Sequence, residues 1–468
     1  MFAHAVCLVN VRVVADGGVA GTLRFSSRIL GLGDAPRAGD TVIDGAGAVV
    51  LPGLVNAHDH LELNHYGRLK CRERYLNASQ WIDDLRPRLS ADPAIRDGRA
   101  HPLGERLFIG ALKNLLAGVT TVAHHNPFYP ELRRTIPIRI VRRYGWAHSF
   151  QLERQPAGAR GEPGGDVAER SRATPADAPF MVHLAEGVDE AAGGELPRLE
   201  ALGCLKPNTV IVHGVAIDGS GWRRVAQAGA GLVWCPASNE FLFGRTAPIR
   251  ELLDLNGQAP AIALGTDSRV TGSRDLLDEL RVARDAEGVR PEELFAMVTT
   301  SAAALLHQPR IGRLSVGGVA DLVMLQGVGS FPQVVGNRFS RGFSGENRVS
   351  GVAAVANRGS ARENGPKRDE HRENHSRRLV ENTVGRENDS RPPVEILEAL
   401  LAATRRDVRL VVVDGRPLVA DPDLAPAFEA RRVVPRPIRV DETLKIADSG
   451  LARRIAGCPI VEPGVSAV

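Results

Sequence analysis

The chain has 468 residues, too many for one small core and suited to a large catalytic body of about 250–350 residues with an appended domain. Hydrophobic residues make up 43% and charged residues 24%, an ordinary globular balance, and no apolar run approaches the roughly 18–20 residues that cross a bilayer. The net charge is +4, but residues 337–392 hold 12 Lys+Arg against 8 Asp+Glu and account for all of it, which removes the case for nucleic acid as a partner of the catalytic body.

The N-terminus reads MFAHAVCLVNVRVV; it alternates like a strand and has no basic leader or small-residue cleavage site. Cys7, Cys71, Cys204, Cys235 and Cys458 lack CxxC spacing, which predicts a reducing, cytoplasmic setting without disulfides or a Cys-rich zinc site. Residues 1–50 read as short strands and turns, with CLVNVRVV and TLRFSSRILGLG alternating between ADGG and DGAG turn clusters.

The next run, AVVLPGLVNAHDH (48–60), is apolar and stops abruptly at polar residues, as a strand buried on both faces does when its end lines a site. The same form recurs at 118–125, 138–149, 179–186, 208–214, 230–236 and 261–268. Helical periodicity lies between several of these runs; Leu103, Leu107, Ala111 and Leu115 share one face, with Gly118 as a cap. DLLDELRVARDAEG and PEELFAMVTTSAAALL also read as helices. Strands alternating with helices predict an α/β fold: a (β/α)8 TIM-like barrel over residues 51–310. Its fourth unit reads as eroded, because residues 151–178, where that strand and helix should fall, are rich in Gly, Pro and charge.

Residues 312–325 and 407–421 return to strand and turn, so 311–335 and 394–468 are expected to join residues 1–50 in a small composite β-sandwich domain. Between them, 336–393 is dense in Arg, Glu, Asn and Ser, and Arg-Glu-Asn recurs at 362–364, 372–374 and 386–388. Such a segment cannot bury enough apolar surface to offset its ordering entropy and is expected to be a disordered insertion.

The chemistry collects at strand ends. His58 and His60 are i and i+2 on a strand, so their imidazoles point to one side and can share an ion. His183, His213 and Asp267 each end another apolar run, and Glu186 follows His183 by three. A lone strand-end histidine is more often a hydrogen-bonded structural residue. Several strands delivering His, His, His and Asp to one rim point instead to a metal site, because buried imidazoles and carboxylates are costly unless paired or metal-bound.

PGLVNAHDH, VHLAEG, VIVHG and LGTDS together resemble the amidohydrolase superfamily, and GRLSVGGVADLVML resembles the segment that follows its barrel. The His-x-x-Glu spacing and the following strand-end His are similar to the mononuclear deaminase and triazine-hydrolase branch, which includes cytosine, guanine and S-adenosylhomocysteine deaminases. The resemblance covers most of residues 1–325 and a stretch near 407–421. It implies that His58, His60, His183 and Asp267 hold one divalent ion, that Glu186 shuttles protons, and that His213 orients water or polarises the substrate. It gives Asp267 a second, catalytic role as acceptor of the water's proton. Zinc is favoured, and iron(II) suits the same donors. Dinuclear relatives carry a carboxylated lysine at a strand end. Here Lys113 is mid-helix and Lys206 lies in a loop, and Lys70, Lys367 and Lys445 end no recognisable barrel strand, which favours one metal.

Substrate contacts are expected at His124, His125, His148 and Asn239, the last in CPASNEFLFGRTAP, read as a loop. Glu62 and His65 are further pocket candidates, while Cys235 and Trp81 read as packing residues. The partner is a small molecule, with no membrane and a homodimer as the state the branch often adopts. The leading function is hydrolytic deamination of an amino-substituted heterocycle. The alternatives are opening of a cyclic amide or imidazolone ring, a dechlorinating triazine-type reaction, and an inactive metal-binding scaffold. Ammonia release separates the first from ring opening, and any turnover excludes the scaffold.

Overall fold

The computed structural model describes residues 4–133, 136–150, 166–255, 259–286, 288–327 and 392–468. Eight short strands carry the site, numbered in chain order. The first run is β1 (Leu54–Asp59), β2 (Val119–His124) and β3 (Arg139–Ile140), paired in that order. The second is β4 (Gly145–Ala147), β5 (Phe180–Leu184), β6 (Thr209–His213), β7 (Gly231–Trp234) and β8 (Ala261–Leu264), each hydrogen-bonded to the next. Every ladder in both runs is parallel. All residues of β1, β2, β5, β6 and β7 are buried, which is why these strands are written as continuous apolar runs rather than as alternation. The Asp267 N–H donates to the His58 carbonyl at 3.1 Å, so the turn after β8 touches the end of β1. Helices follow most strands, among them Leu103–Leu116, Val167–Ala173, Glu195–Ala201, Gly219–Gln227 and Leu276–Asp285.

The fourth strand, expected within 151–178, is Gly145–Ala147, earlier in the chain. The run 138–149 is two strands, β3 and β4, separated by Val141–Tyr144 without a helix. Arg142 and Arg143 interrupt the apolar pattern there, and Arg143 pairs with Asp177. The helix of the fourth unit is Val167–Ala173, started by the Asp166 carboxylate accepting from the Glu169 N–H at 2.8 Å. Residues 151–165 lie outside the described residues.

The run 48–60 is likewise two strands. Thr41–Pro52 belongs to another sheet, and the chain crosses into β1 at Gly53. A Cβ at Gly53 would meet the Thr120 side chain at 2.2 Å, so only glycine lets the two pass. The boundary therefore falls two residues beyond the expected 50/51. PEELFAMVTTSAAALL is two helices, Pro291–Met297 and Thr300–Leu305.

Both chain ends build one sheet of 11 strands, mostly antiparallel. Thr41–Pro52 sits centrally between Val6–Ala15 and Leu322–Leu325, and the latter continues into Val408–Val413 and Arg416–Ala420. The strands form a single hydrogen-bonded sheet, with Gly18–Ala20 branching from Val6–Ala15, rather than the two sheets that a sandwich implies. One face packs on its own core of Val6, Leu8, Phe25, Val50, Leu322, Val412 and Phe428. The expected insertion 336–393 lies outside the described residues except for Pro392 and Pro393. No helix among the described residues is long and apolar enough to cross a membrane.

Candidate metal centre

His58, His60 and His183 bring one ring nitrogen each to within 4.8 Å of one another. His60 Nε2 and His183 Nε2 are 3.3 Å apart, and the Asp267 Oδ1 lies 3.9 Å from His58 Nε2 and 3.8 Å from His60 Nε2. Ligands about 2.0–2.1 Å from a tetrahedral ion sit about 3.3 Å apart, close to this spacing.

The hydrogen bonds behind the cluster fix which nitrogens carry lone pairs. His125 Nε2–H donates to the Ala147 carbonyl at 2.8 Å, which leaves its Nδ1 as acceptor for His58 Nδ1–H at 3.2 Å. His58 Nε2 is then unprotonated, and it is buried with no hydrogen-bond partner. His183 Nδ1–H donates to the His148 carbonyl at 2.8 Å, which frees its Nε2 in the same way. Burial holds His58 and His183 well below the usual imidazole range, with neighbouring histidines adding to it; burial also lowers His60, against the pull of Asp267. The lone pairs of His58 Nε2 and His183 Nε2 both face the cluster, where a cation would be their natural partner. The donor set therefore fits one divalent ion.

Burial pushes the Asp267 carboxyl up, but His60, His213, the Ser268 N–H and Thr271 together hold it below the ordinary value. Its Oδ2 accepts from Ser238 Oγ–H at 2.9 Å and Thr271 Oγ–H at 2.8 Å, and its Oδ1 accepts from the Ser268 N–H at 2.6 Å. Asp267 and His213 both adopt left-handed backbone, φ 53° and 75°. Non-glycine residues held this way cost about 1–3 kcal/mol each and cluster at functional sites.

Glu186 stands across from the donors, its Oε1 3.6 Å from His213 Nε2. Burial raises its carboxyl to about 7, with His213 opposing and Asp267 assisting. His213 Nδ1–H donates to Asn239 Oδ1 at 2.8 Å, and Asn239 Nδ2 donates to Thr246 Oγ1 at 3.1 Å.

A cavity of about 600 Å³ opens onto this cluster, lined by His60, His148, His183, Glu186, His213 and Asp267 on one side. Leu63, Trp81, Ile82 and Leu103 form an apolar wall, and Glu62, Arg106, Asn126 and Tyr129 supply polar groups.

The model for the amidohydrolase family matches residues 157–355. That match spans less than half of the chain. Among its relatives are a 5-methylthioadenosine/S-adenosylhomocysteine deaminase of Halobacterium salinarum, 29% identical over 67% of this chain and 80% of that protein, and an 8-oxoguanine deaminase of Pseudomonas aeruginosa, 26% identical over 67% and 81%. In fold, the chain is similar to an atrazine chlorohydrolase of Arthrobacter aurescens complexed with zinc, with TM-score 0.62, 18% identity and 91% and 100% of the two chains covered. An adenosine deaminase of Xanthomonas campestris with bound zinc gives TM-score 0.55, 18% identity and 92% and 97% coverage.

Several of the expected substrate contacts lie elsewhere. His148 lines the cavity. His124 and His125 do not: both are fully buried, His125 behind His58 and His124 beside Glu62, its Nε2 3.8 Å from Glu62 Oε2. Asn239 is fully buried and holds His213, because CPASNEFLFGRTAP is not a loop but begins with the helix Pro236–Phe243. Trp81, read as packing, faces the cavity while its indole N–H donates to the Leu69 carbonyl at 2.8 Å. Glu62 lines the cavity; His65 instead bonds the Gly98 carbonyl at 3.1 Å. Cys235 is buried, and burial pushes its thiol well above the usual range.

Beneath the cluster lies a polar box that no motif announces. Asp59 points away from His58 and His60, as the middle residue of a strand triplet must. Its Oδ2 is 3.1 Å from Lys113 Nζ, both side chains being fully buried. Lys113 Nζ also donates to Asn64 Oδ1 at 2.7 Å and Thr266 Oγ1 at 3.1 Å; Asn64 and Asn114 each donate to Asp59 at 2.7 Å. The box joins β1 to the segment that carries Asp267. Two residues further on, Arg269 pairs with Glu462 at 2.5 Å, and Arg405 pairs with the same carboxylate at 2.7 Å, which ties that segment to the C-terminal part of the chain.

Proposed function

We propose that the chain is a metal-dependent hydrolase that deaminates an amino-substituted heterocycle, with His58, His60, His183 and Asp267 holding one divalent ion. The observation that carries this is the convergence of three buried imidazole nitrogens, two of them held unprotonated by their hydrogen bonds, and one carboxylate oxygen, with a carboxyl raised to about 7 beside them. Zinc is the ion of choice, since the donor set suits it and two solved structures of similar fold contain it. When bound, such an ion supplies Lewis acidity that makes water a competent nucleophile near neutral pH. Glu186 takes a proton from that water and returns it to a ring nitrogen, and His213, held by Asn239, hydrogen-bonds the incoming group. Attack at the amine-bearing carbon gives a tetrahedral centre; Asp267 accepts the proton of the new hydroxyl and passes it to the amine, and the C–N bond breaks to leave a carbonyl and ammonia. The two parallel runs close into a (β/α)8 barrel, and the Asp267–His58 backbone bond supports closure between β8 and β1. Residues 1–52 with 322–325 and 408–468 form the second domain.

The test is ammonia release by the zinc-loaded protein over purines, pyrimidines, pterins and aminotriazines. Ammonia from at least one is expected; ring opening without ammonia would replace this reading. For the ion, His183→Ala should lower bound zinc well below one per chain by elemental analysis, and unchanged stoichiometry would remove His183 from the set.

A further inference from the structure

Arg106 is the one arginine or lysine among the described residues that line the 600 Å³ cavity. It sits in the first turn of the helix Leu103–Leu116, partly buried, and among the described residues its guanidinium makes no ion pair or hydrogen bond; its Nε is buried without a partner. Among the described residues no acid of the cavity pairs with Arg106, although Glu62 Oε2 is buried without a hydrogen-bond partner of its own. Glu62 accepts from Asn126 Nδ2 and faces His124, Glu186 faces His213, and Asp267 is held by Ser238 and Thr271. Other arginines nearby are satisfied: Arg269 by Glu462, and Arg68 by the Gly272 carbonyl at 3.0 Å. The neighbouring His65 is pushed down to about 4 by burial first and by Arg106 second, so it adds no second charge beside the guanidinium.

A guanidinium is charged at every accessible pH, and withdrawing it from water without a counter-charge is costly. Resting on the deaminase reading above, we propose that Arg106 recognises a carboxylate on the substrate, whose ring lies against the wall of Leu63, Trp81, Ile82 and Leu103. A carboxylate fits better than a phosphate, because one planar fork matches its two oxygens and its single charge, whereas a dianion calls for more cations than the cavity offers.

The test uses zinc-loaded full-length protein and two matched pairs, cytosine with cytosine-5-carboxylate and pterin with pterin-6-carboxylate. Binding is measured by calorimetry and turnover by ammonia release. At least tenfold tighter binding of a carboxylate than of its neutral partner is expected. In Arg106→Gln that ratio should fall to within twofold of one, and Arg106→Lys should restore part of it. If neither carboxylate binds more tightly than its partner in the wild type, or if the preference survives Arg106→Gln, the inference is overturned. An Arg106-dependent preference without ammonia would leave the inference standing and sink the deaminase reading; ammonia without the preference would do the reverse.

Discussion

Replacing Lys113 by methionine should destabilise the protein by about 3–5 kcal/mol and lower its zinc content, although Lys113 does not line the cavity and reaches the four proposed ligands only at the Asp267 carbonyl, 3.5 Å from its Nζ. Methionine fills a similar volume, so the loss is of charge rather than packing. Asp59 would keep its three asparagine donors and the Thr266 hydroxyl but lose the only cation at ion-pair distance among the described residues, 3.1 Å away in a fully buried setting. Breaking a buried pair by removing one partner costs about this much, because it strands an uncompensated charge. Against a typical total stability of about 5–15 kcal/mol, that is a large share. The two ends of the box flank the site: Asp59 lies between His58 and His60, and Thr266 precedes Asp267. Adding Asp59→Asn to Lys113→Met should recover part of the loss, since no buried charge then remains unpaired. Denaturant midpoints and elemental analysis of the two variants decide it. A single mutant within about 1 kcal/mol of wild type would mean that the pair does not hold the site together.

What could be read beforehand follows from where side chains point. β1, β2, β5, β6, β7 and β8 were legible because strands covered on both faces are written as apolar runs, and His58, His124, His183, His213 and Asp267, at or just beyond the ends of five of them, mark the rim. β3 and β4 were not, since strands of two and three residues have no period to detect. The crossing at Gly53 was hidden because both flanking strands are apolar, and the steric demand for glycine comes from Thr120, distant in sequence. In the site, the two-residue spacing of His58 and His60 carries its own geometry. The orientation of His125 does not show: it follows His124 directly, at the end of β2, and supports His58 from behind instead of lining the cavity. One signal for the Asp59–Lys113 pair was present. A lysine within GALKNLL, on a helix whose neighbours are apolar, must either reach solvent or find an anion, and the carboxylate turned outward between two inward histidines is that anion. Arg106 gave no signal, because a first-turn arginine looks like any solvated helix start.

Glu186→Gln should retain one zinc and lose about 10²–10⁴-fold in kcat, the usual contribution of a positioned proton-transfer group. Glutamine matches glutamate in size and keeps a polar head at the cavity, so it leaves the donor cluster in place; what it cannot do is exchange a proton. The position suits exchange. The Glu186 side chain keeps 15% exposure, faces the cavity, and lies 3.6 Å from His213 Nε2. Burial has already raised its carboxyl to about 7, so near neutral pH both protonation states are populated. The sign of the pH dependence follows. The carboxylate form must be present to receive the first proton, so kcat/KM should fall as pH drops through the Glu186 ionisation. A bound cation favours the charged carboxylate and moves that limb below 7 rather than above it. The glutamine variant has no such group, and its residual kcat/KM should lack the limb altogether. A variant that keeps its zinc and stays within a few-fold of wild type, or one that loses rate but keeps the same acid limb, would assign the proton transfer to another group, of which His213 is the nearest.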